Sequence, residues 1–186
     1  MNFRFCWPFL YLAALAFTAL AFSMSADATR PRMITEITEA LTQLLGRDVR
    51  VKPIKADEPT ELCIRYVDGA GDLVSAWTTQ RSLAWSLGGA LMMLPRAIVD
   101  EAIARGVDES QLAENFQEVV NVLAATAANV LNRRAVLESV TTDGDTMMRT
   151  VRQMRAGGGR WSVLELEVDG YPGGRIAVAL VSEDDA

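Results

Sequence analysis

The chain has 186 residues, enough for one well-packed domain and too few for two ordinary ones. Its formal net charge of −6 argues against nucleic-acid binding, because neutralising phosphates requires an excess of Lys and Arg. It contains no histidine, which excludes Ser-His-Asp and Cys-His catalysis and the common zinc-ligand sets. Any catalysis therefore depends on carboxylates, amides, hydroxyls, basic groups or a metal held by oxygen ligands.

The two cysteines, Cys6 and Cys63, lie in segments of different character. Cys63 stands in an apolar strand-like run, where a small buried hydrophobic residue is expected. Two cysteines alone do not complete a zinc site, and no disulfide scaffold is implied.

Residues 5–24 are almost wholly apolar and uncharged, and they follow Arg4. Their length suits a secretory signal or a single membrane anchor. A further alternative is that translation begins at Met33, which runs directly into a helical pattern. We therefore set residues 1–32 apart as an apolar leader, and we expect the remainder to be a cytoplasmic domain.

The charges flanking this leader leave its orientation open. Arg30 and Arg32 favour a cytoplasmic location for the chain that follows, whereas Arg4 favours the opposite. If residues 5–24 are used, the protein is membrane-anchored or exported.

The first elements of the domain follow from hydrophobic periodicity. Apolar residues at helical spacing from Ile34 to Leu45 predict a helix that ends at Gly46. Alternation over residues 49–54 predicts a half-buried strand. Two strand-like runs, Leu62–Val67 and Leu73–Thr78, flank a turn-rich segment and predict a β-hairpin.

Three helices are predicted next. Thr79 is expected to cap a helix from Gln80 to Leu94. The Gly88-Gly89 pair in this helix allows a neighbouring backbone to approach closely, and Met92 and Met93 are expected to fill core space. A shorter helix spans Arg96–Arg105, and Asp108 or Ser110 is expected to cap a long helix that ends near Asn132.

The last third reads as sheet, with four predicted strands: Ala135–Thr141, Thr146–Met154, Trp161–Val168 and Arg175–Val181. Gly157-Gly158-Gly159 lacks a following helix or a Lys-Ser/Thr pair, so it is predicted to be a hairpin tip and not a phosphate-binding loop. Residues 182–186 form an acidic tail. The order of elements predicts an α+β fold over residues 33–181, with helices packed on an antiparallel β-sheet.

The long helix, residues 111–132, carries a polar stripe at spacings of three and four, formed by Glu114, Glu118 and Asn121 and continued by Ala125. The opposite side is a broad apolar surface expected to face the sheet, made by Phe116, Val119, Val120, Leu123, Ala127, Val130 and Leu131. A stripe that ends in small residues is suited to a closely approaching partner, although a solvated helix face has the same pattern.

Glu118-Val119-Val120-Asn121 in a long helix, preceded by a hairpin and a Met- and Gly-rich helix and followed by strands, resembles the CheC/CheX family. Members of that family are phosphatases that act on the phosphorylated chemotaxis receiver CheY. The resemblance covers about residues 34–181, and Ala124 and Ala125 stand where the family has a small residue after the motif. CheC-type members carry a second Glu-x-x-Asn on a pseudo-symmetric helix. The helix predicted from Gln80 to Leu94, taken as the matching one, has none, which favours the single-site, CheX-like branch.

The resemblance implies a role for each motif residue. Asn121 would position a water in line with the aspartyl-phosphate of the receiver, and Glu118 would dock on the receiver's lysine. Phosphoryl transfer requires mainly positioning and charge neutralisation. No cofactor of this chain is implied, since the receiver would supply Mg²⁺.

Other functions stay open at this point. One alternative is a non-catalytic CheX-like adaptor in chemotaxis or flagellar-switch signalling. Another is an exported or membrane-tethered domain of unrelated role, and a homodimer is also open. The basic residues Arg149, Arg152, Arg155 and Arg160 are expected on a charged outer strand face, where they offer an edge to an acidic receiver.

Overall fold

The computed structural model describes residues 29–105 and 110–181. Its helices are α1 (29–45), α2 (Arg81–Leu91), α3 (Arg96–Arg105), α4 (Ser110–Leu131) and α5 (Gly144–Ala156). Its strands are β1 (Val49–Pro53), β2 (Leu62–Val67), β3 (Leu73–Thr79), β4 (Val136–Thr141), β5 (Arg160–Val168) and β6 (Gly174–Leu180). Asp108, one predicted cap, lies outside the described residues, as do the tail 182–186 and residues 1–28 of the predicted leader.

The six strands form one antiparallel sheet in the order β1-β5-β6-β3-β2-β4. The predicted hairpin of β2 and β3 is confirmed, and β5 and β6 form a second hairpin. Alternate residues of each strand point to opposite faces. The predicted α+β class, with helices on an antiparallel sheet, is therefore confirmed.

The main hydrophobic core lies between one face of the sheet and helices α1, α2 and α4. It includes Ile37 and Leu41 of α1, both almost fully buried, and Trp77 of β3. The opposite face carries a smaller cluster, in which Met154 of α5 packs on Ala76 and Ala179. Helices thus cover both faces, and α4 and α5 lie on opposite sides of the sheet.

The strand predicted over Thr146–Met154 is wrong, because these residues belong to helix α5. The buried residues Met147, Thr150 and Met154 recur at spacings of three and four, which is a helical stripe. The Asp143 carboxylate accepts a hydrogen bond from the Thr146 N–H (2.8 Å) and caps the helix. The glycines of residues 157–159 consequently join α5 to β5, and they are not the predicted hairpin tip.

Two predictions at the ends of α2 are also wrong. Thr79 is the last residue of β3, and its hydroxyl donates to the Arg175 carbonyl (3.0 Å) instead of capping α2, which begins after Gln80. Met93 does not fill the core, since it adopts a positive φ of 54° and is 76% exposed.

The strand order has an internal two-fold pattern that the sequence did not reveal. Exchanging β1 with β4, β2 with β5 and β3 with β6 turns the order β1-β5-β6-β3-β2-β4 into its own reverse. The helix that precedes β1 is α1 and the helix that precedes β4 is α4. Helix α1 is therefore the counterpart of α4, and the choice of residues 80–94 for that role was wrong.

Both counterpart helices end on a residue with positive φ, Gly46 (61°) after α1 and Asn132 (52°) after α4. Aligning these two residues places Arg32 opposite Glu118 and Thr35 opposite Asn121. Helix α1 contains no asparagine. The described part of the counterpart helix therefore has no Glu-x-x-Asn motif.

None of the helices within residues 29–105 and 110–181 is long and apolar enough to cross a bilayer. Arg30 and Arg32 lie within the described part of helix α1.

An ion pair ties the turn between β2 and β3 to the end of α4. The Arg133 guanidinium lies 2.6 Å from the Asp68 carboxylate, and both side chains are largely shielded from solvent. This hydrogen bond, helped by the backbone N–H groups of Asp72 and Ala70, holds the pKa of Asp68 below its ordinary value. The pair fixes α4 at its C-terminal end.

The Gly88→Ala variant is expected to be less stable than the wild type by about 1–3 kcal/mol. A Cβ at Gly88 would lie 2.4 Å from the backbone oxygen of Leu112, so α2 and α4 would have to separate. Urea denaturation measures the change. Gly144→Ala is the control, since its Cβ meets nothing within 4 Å and its stability should stay near that of the wild type.

The ion pair predicts a pH-dependent coupling between Asp68 and Arg133. A lowered folded-state pKa means that the Asp68 contribution is present above its unfolded pKa and is lost as the pH falls through the folded pKa. A double-mutant cycle of Asp68→Asn and Arg133→Gln, followed by urea denaturation, should give a favourable coupling at neutral pH. The coupling should vanish in strong acid. A coupling of equal size at both pH values would contradict this assignment.

Candidate functional site

Helix α4 is fixed to the rest of the domain along its inner side. Leu112, Phe116, Val119 and Leu123 are almost fully buried, and they recur at spacings of three and four. The apolar surface predicted for this helix is thus confirmed, with Val130 and Leu131 packed against the rim of the core.

Two contacts set the position of α4 more tightly than apolar packing alone. At Gly88 the backbones of α2 and α4 meet, because a Cβ there would lie only 2.4 Å from the Leu112 oxygen. The close approach predicted from the glycine pair is confirmed. On the sheet side, the buried Tyr66 hydroxyl donates to the Val120 carbonyl (2.8 Å), and the Tyr66 ring packs edge-on against Trp77, with 5.4 Å between centroids.

The outer side of α4 carries the predicted polar stripe. Glu114, Glu118, Asn121 and Ala125 are all exposed. Ala124, in contrast, is buried, so Ala125 alone is the small residue on the outward surface. The structure therefore brings Glu118 and Asn121 together on one accessible face.

Neither Glu118 nor Asn121 makes a side-chain hydrogen bond or ion pair with another described residue. The polar side chains nearer the helix ends differ, since Asn115 donates to the Gln111 carbonyl (2.8 Å) and Asn129 donates to the Glu36 carboxylate (3.2 Å). The carboxylate and the carboxamide at the centre of the helix are thus available to an external partner.

The apolar residue Val122 adds to this face, although the sequence pattern did not single it out. It is 41% exposed and follows Asn121 directly. The sequence did not reveal this exposure, because a valine at position 122 also fits the apolar repeat of the helix. Val122 therefore adds one apolar side chain to the face that carries Glu118 and Asn121.

Other reactive groups are occupied or buried. The Cys63 thiol is buried as predicted, and burial raises its pKa, so it stays protonated at neutral pH. Beside it, Arg65 bonds to Glu138 (2.5 Å) and to the Thr150 hydroxyl (2.6 Å). Within the described ranges, no group of three or more acidic or sulfur ligands is placed to hold a metal ion.

The four arginines predicted on an outer strand are placed differently. Arg149, Arg152 and Arg155 lie on α5, and Arg160 begins β5. Since α5 and α4 cover opposite faces of the sheet, these arginines do not extend the Glu118–Asn121 surface.

Comparisons with known proteins identify the fold. No protein-family model matches the chain, and no curated protein matches it by sequence. Among solved structures, the FliM middle domain from Vibrio alginolyticus matches with a TM-score of 0.58 and 10% identity, over 84% of this chain and 92% of that one. FliM in a FliG–FliM complex from H. pylori matches with a TM-score of 0.53 and 11% identity, over 87% and 94%.

A CheX chain from a CheX–CheY–BeF3–Mg²⁺ complex of Borrelia burgdorferi also matches, with a TM-score of 0.42 and 11% identity, over 82% of this chain and 97% of that one. The matches with FliM middle domains have TM-scores above 0.5, and at their low identity they establish architecture and not activity. The resemblance to the CheC/CheX family is confirmed in this sense, because FliM middle domains share the CheC/CheX fold. The chain therefore has the fold common to FliM middle domains and CheX.

Proposed function

We propose that the outer face of α4 docks on a phosphorylated receiver domain and accelerates hydrolysis of its aspartyl-phosphate. The observation that carries the proposal is the pairing of an exposed Glu118 with an exposed Asn121 on a rigid helix, both without partners among the described residues. Three residues of helix separate them by about 4.5 Å along the axis, so both reach one small target.

Asn121 is suited to place the attacking water. A carboxamide offers one acceptor and two donors, and it adds no charge beside an anionic phosphoryl group. The water oxygen attacks phosphorus as the bond from phosphorus to the aspartyl oxygen breaks. The products are inorganic phosphate and the free aspartate of the receiver. In this scheme Asn121 works by positioning, which is the main requirement of phosphoryl transfer.

Glu118 is suited to fix the orientation of docking. A carboxylate pairs with an ammonium group, and a lysine beside the receiver's phosphate would offer one. Val122 and Ala125 border the two polar groups on the outward surface. Mg²⁺ would be supplied by the receiver, so the reaction does not call on a metal of this chain.

A second candidate is a docking domain without catalysis. The specific observation that favours it is the match with FliM middle domains, one of them solved in complex with FliG. In that case the same surface of α4 would bind a signalling or flagellar-switch partner, and Asn121 would contribute to contact alone.

Measured loss of phosphate from receiver domains distinguishes the two candidates. A panel of receivers phosphorylated with acetyl phosphate is incubated with the full chain, and phosphate release is followed over time. The wild type is expected to accelerate release from its receiver. Asn121→Ala should reduce this acceleration about 100-fold or more, because the attacking water loses the group that positions it.

Glu118→Ala should act differently, by raising the concentration of this protein that is needed for half-maximal acceleration. Gln153→Ala is the control, since this exposed side chain of α5 lies on the opposite face of the sheet and should leave the rate unchanged. If the wild type binds the beryllofluoride-activated receiver but does not accelerate phosphate release, the phosphatase proposal is overturned. The docking domain without catalysis would then be the remaining candidate.

A further inference from the structure

A cleft of about 610 Å³ opens at one edge of the sheet, away from α4's outer face. Its walls come from four parts of the chain. Arg30 belongs to the start of α1, Lys55 to the connection from β1 to β2, Arg155 to the end of α5, and Trp161 to the start of β5. Three basic side chains that are distant in sequence therefore line one concave surface beside a partly exposed indole.

The basic surface continues from the cleft along α5. Arg149, Arg152 and Arg155 follow one another at spacings of three, so they are neighbours on the helix. Arg149 and Arg152 are exposed and form no ion pair with a described residue. We call Arg30, Lys55, Arg149, Arg152 and Arg155 the basic rim.

Acidic residues border the basic rim without enclosing it. Glu58 pairs with Arg155 (3.1 Å), and Asp57 lines the same cleft. Asp143 is engaged in capping α5, and Asp145 lies in its first turn. Arg149 interacts electrostatically with the Asp143 carboxylate. Arg152 remains, and Met148, 51% exposed, directly precedes Arg149. A locally basic surface on a chain of net charge −6 suits an anionic partner.

The basic rim follows the apolar sequence of residues 5–24 closely along the chain. Five residues separate Met24 from Arg30, the first member of the basic rim in sequence order. An apolar stretch of this length is long enough to enter a bilayer.

We propose that the basic rim rests on anionic lipid headgroups. Guanidinium and ammonium groups form charge-assisted hydrogen bonds with phosphates. Basic residues next to a membrane segment are attracted by the negative surface potential of the cytoplasmic leaflet. This inference is independent of the phosphatase proposal.

The arrangement leaves the outer face of α4 accessible. Helix α5 would lie toward the lipid, and α4 covers the opposite face of the sheet. Arg32 donates to the Asn129 carbonyl (2.8 Å), so the C-terminal part of α4 lies beside the start of α1. Asn121 precedes Asn129 by eight residues, which is about 12 Å along the axis of α4. The Glu118–Asn121 surface is therefore separate from the contact with α1.

The experiment compares contact with lipid at two positions of the full chain. In a Cys6→Ser background, an environment-sensitive fluorophore is attached at Gln153→Cys on α5 or at Gln117→Cys on α4, both of which are exposed positions. The buried Cys63 is protected from labelling. Vesicles contain phosphatidylcholine with a headgroup spin-label quencher, with or without phosphatidylglycerol.

The α5 label should be quenched more strongly on vesicles with phosphatidylglycerol than on phosphatidylcholine alone, and high salt should remove the difference. The α4 label should stay unquenched. Arg149→Glu combined with Arg152→Glu should reduce quenching of the α5 label to the level on neutral vesicles. Arg96→Glu with Arg105→Glu makes the same change of charge on α3 and should have no effect.

Equal quenching of the α5 label with and without the anionic lipid would overturn the proposal. Quenching that survives the double charge reversal would overturn it as well, because contact would then depend on the apolar segment alone. In either case an acidic protein surface would be the remaining partner for the basic rim.

Discussion

The position of α4 depends on a backbone contact between two helices. Gly88 of α2 leaves no room for a side chain against the Leu112 oxygen, so the two axes are closer than any other residue would allow. Tyr66 then fixes the middle of α4 to the sheet, and the Asp68–Arg133 pair fixes its end. Three restraints of different chemistry hold one helix, and this rigidity is what allows the side chains on its free side to act as prepositioned groups.

Much of this was predictable because it depends on local periodicity. The apolar repeat of α4, the hairpin of β2 and β3 and the close approach at Gly88 follow from residue types and spacings. Helix α5 was missed because Thr146, Thr150 and Val151 are β-branched residues, which are enriched in strands. The Asp143 cap and the apolar contacts with Ala76 and Ala179 decide the outcome, and the second of these is a contact distant in sequence.

The counterpart of α4 could not be identified from local sequence patterns. The pairing of α1 with α4 emerges only from the order of strands in the sheet, which depends on contacts between distant parts of the chain. The candidate site on α4 also depends on the packed structure and not on the sequence pattern alone. Sequence spacing placed Glu118 and Asn121 on one face, but only the packed structure indicates that both lack partners among the described residues while Asn129, two turns away, is bound to Glu36. Polar spacing alone does not distinguish an engaged side chain from a free one.

The two proposed surfaces constrain each other through the position of the membrane. A receiver that carries Mg²⁺ and an aspartyl-phosphate is found on the cytoplasmic side, so membrane attachment is compatible with phosphatase action only if the domain faces the cytoplasm. Arg30 and Arg32, after the apolar segment, favour that orientation, whereas Arg4, before it, favours the opposite one. Arg30 also lines the cleft of the basic rim, while Arg32 contacts the end of α4. Arg32 also occupies, in the first half of the fold, the place that Glu118 has in the second. The position that is free for a partner on α4 is therefore taken up on α1 by a contact within the domain.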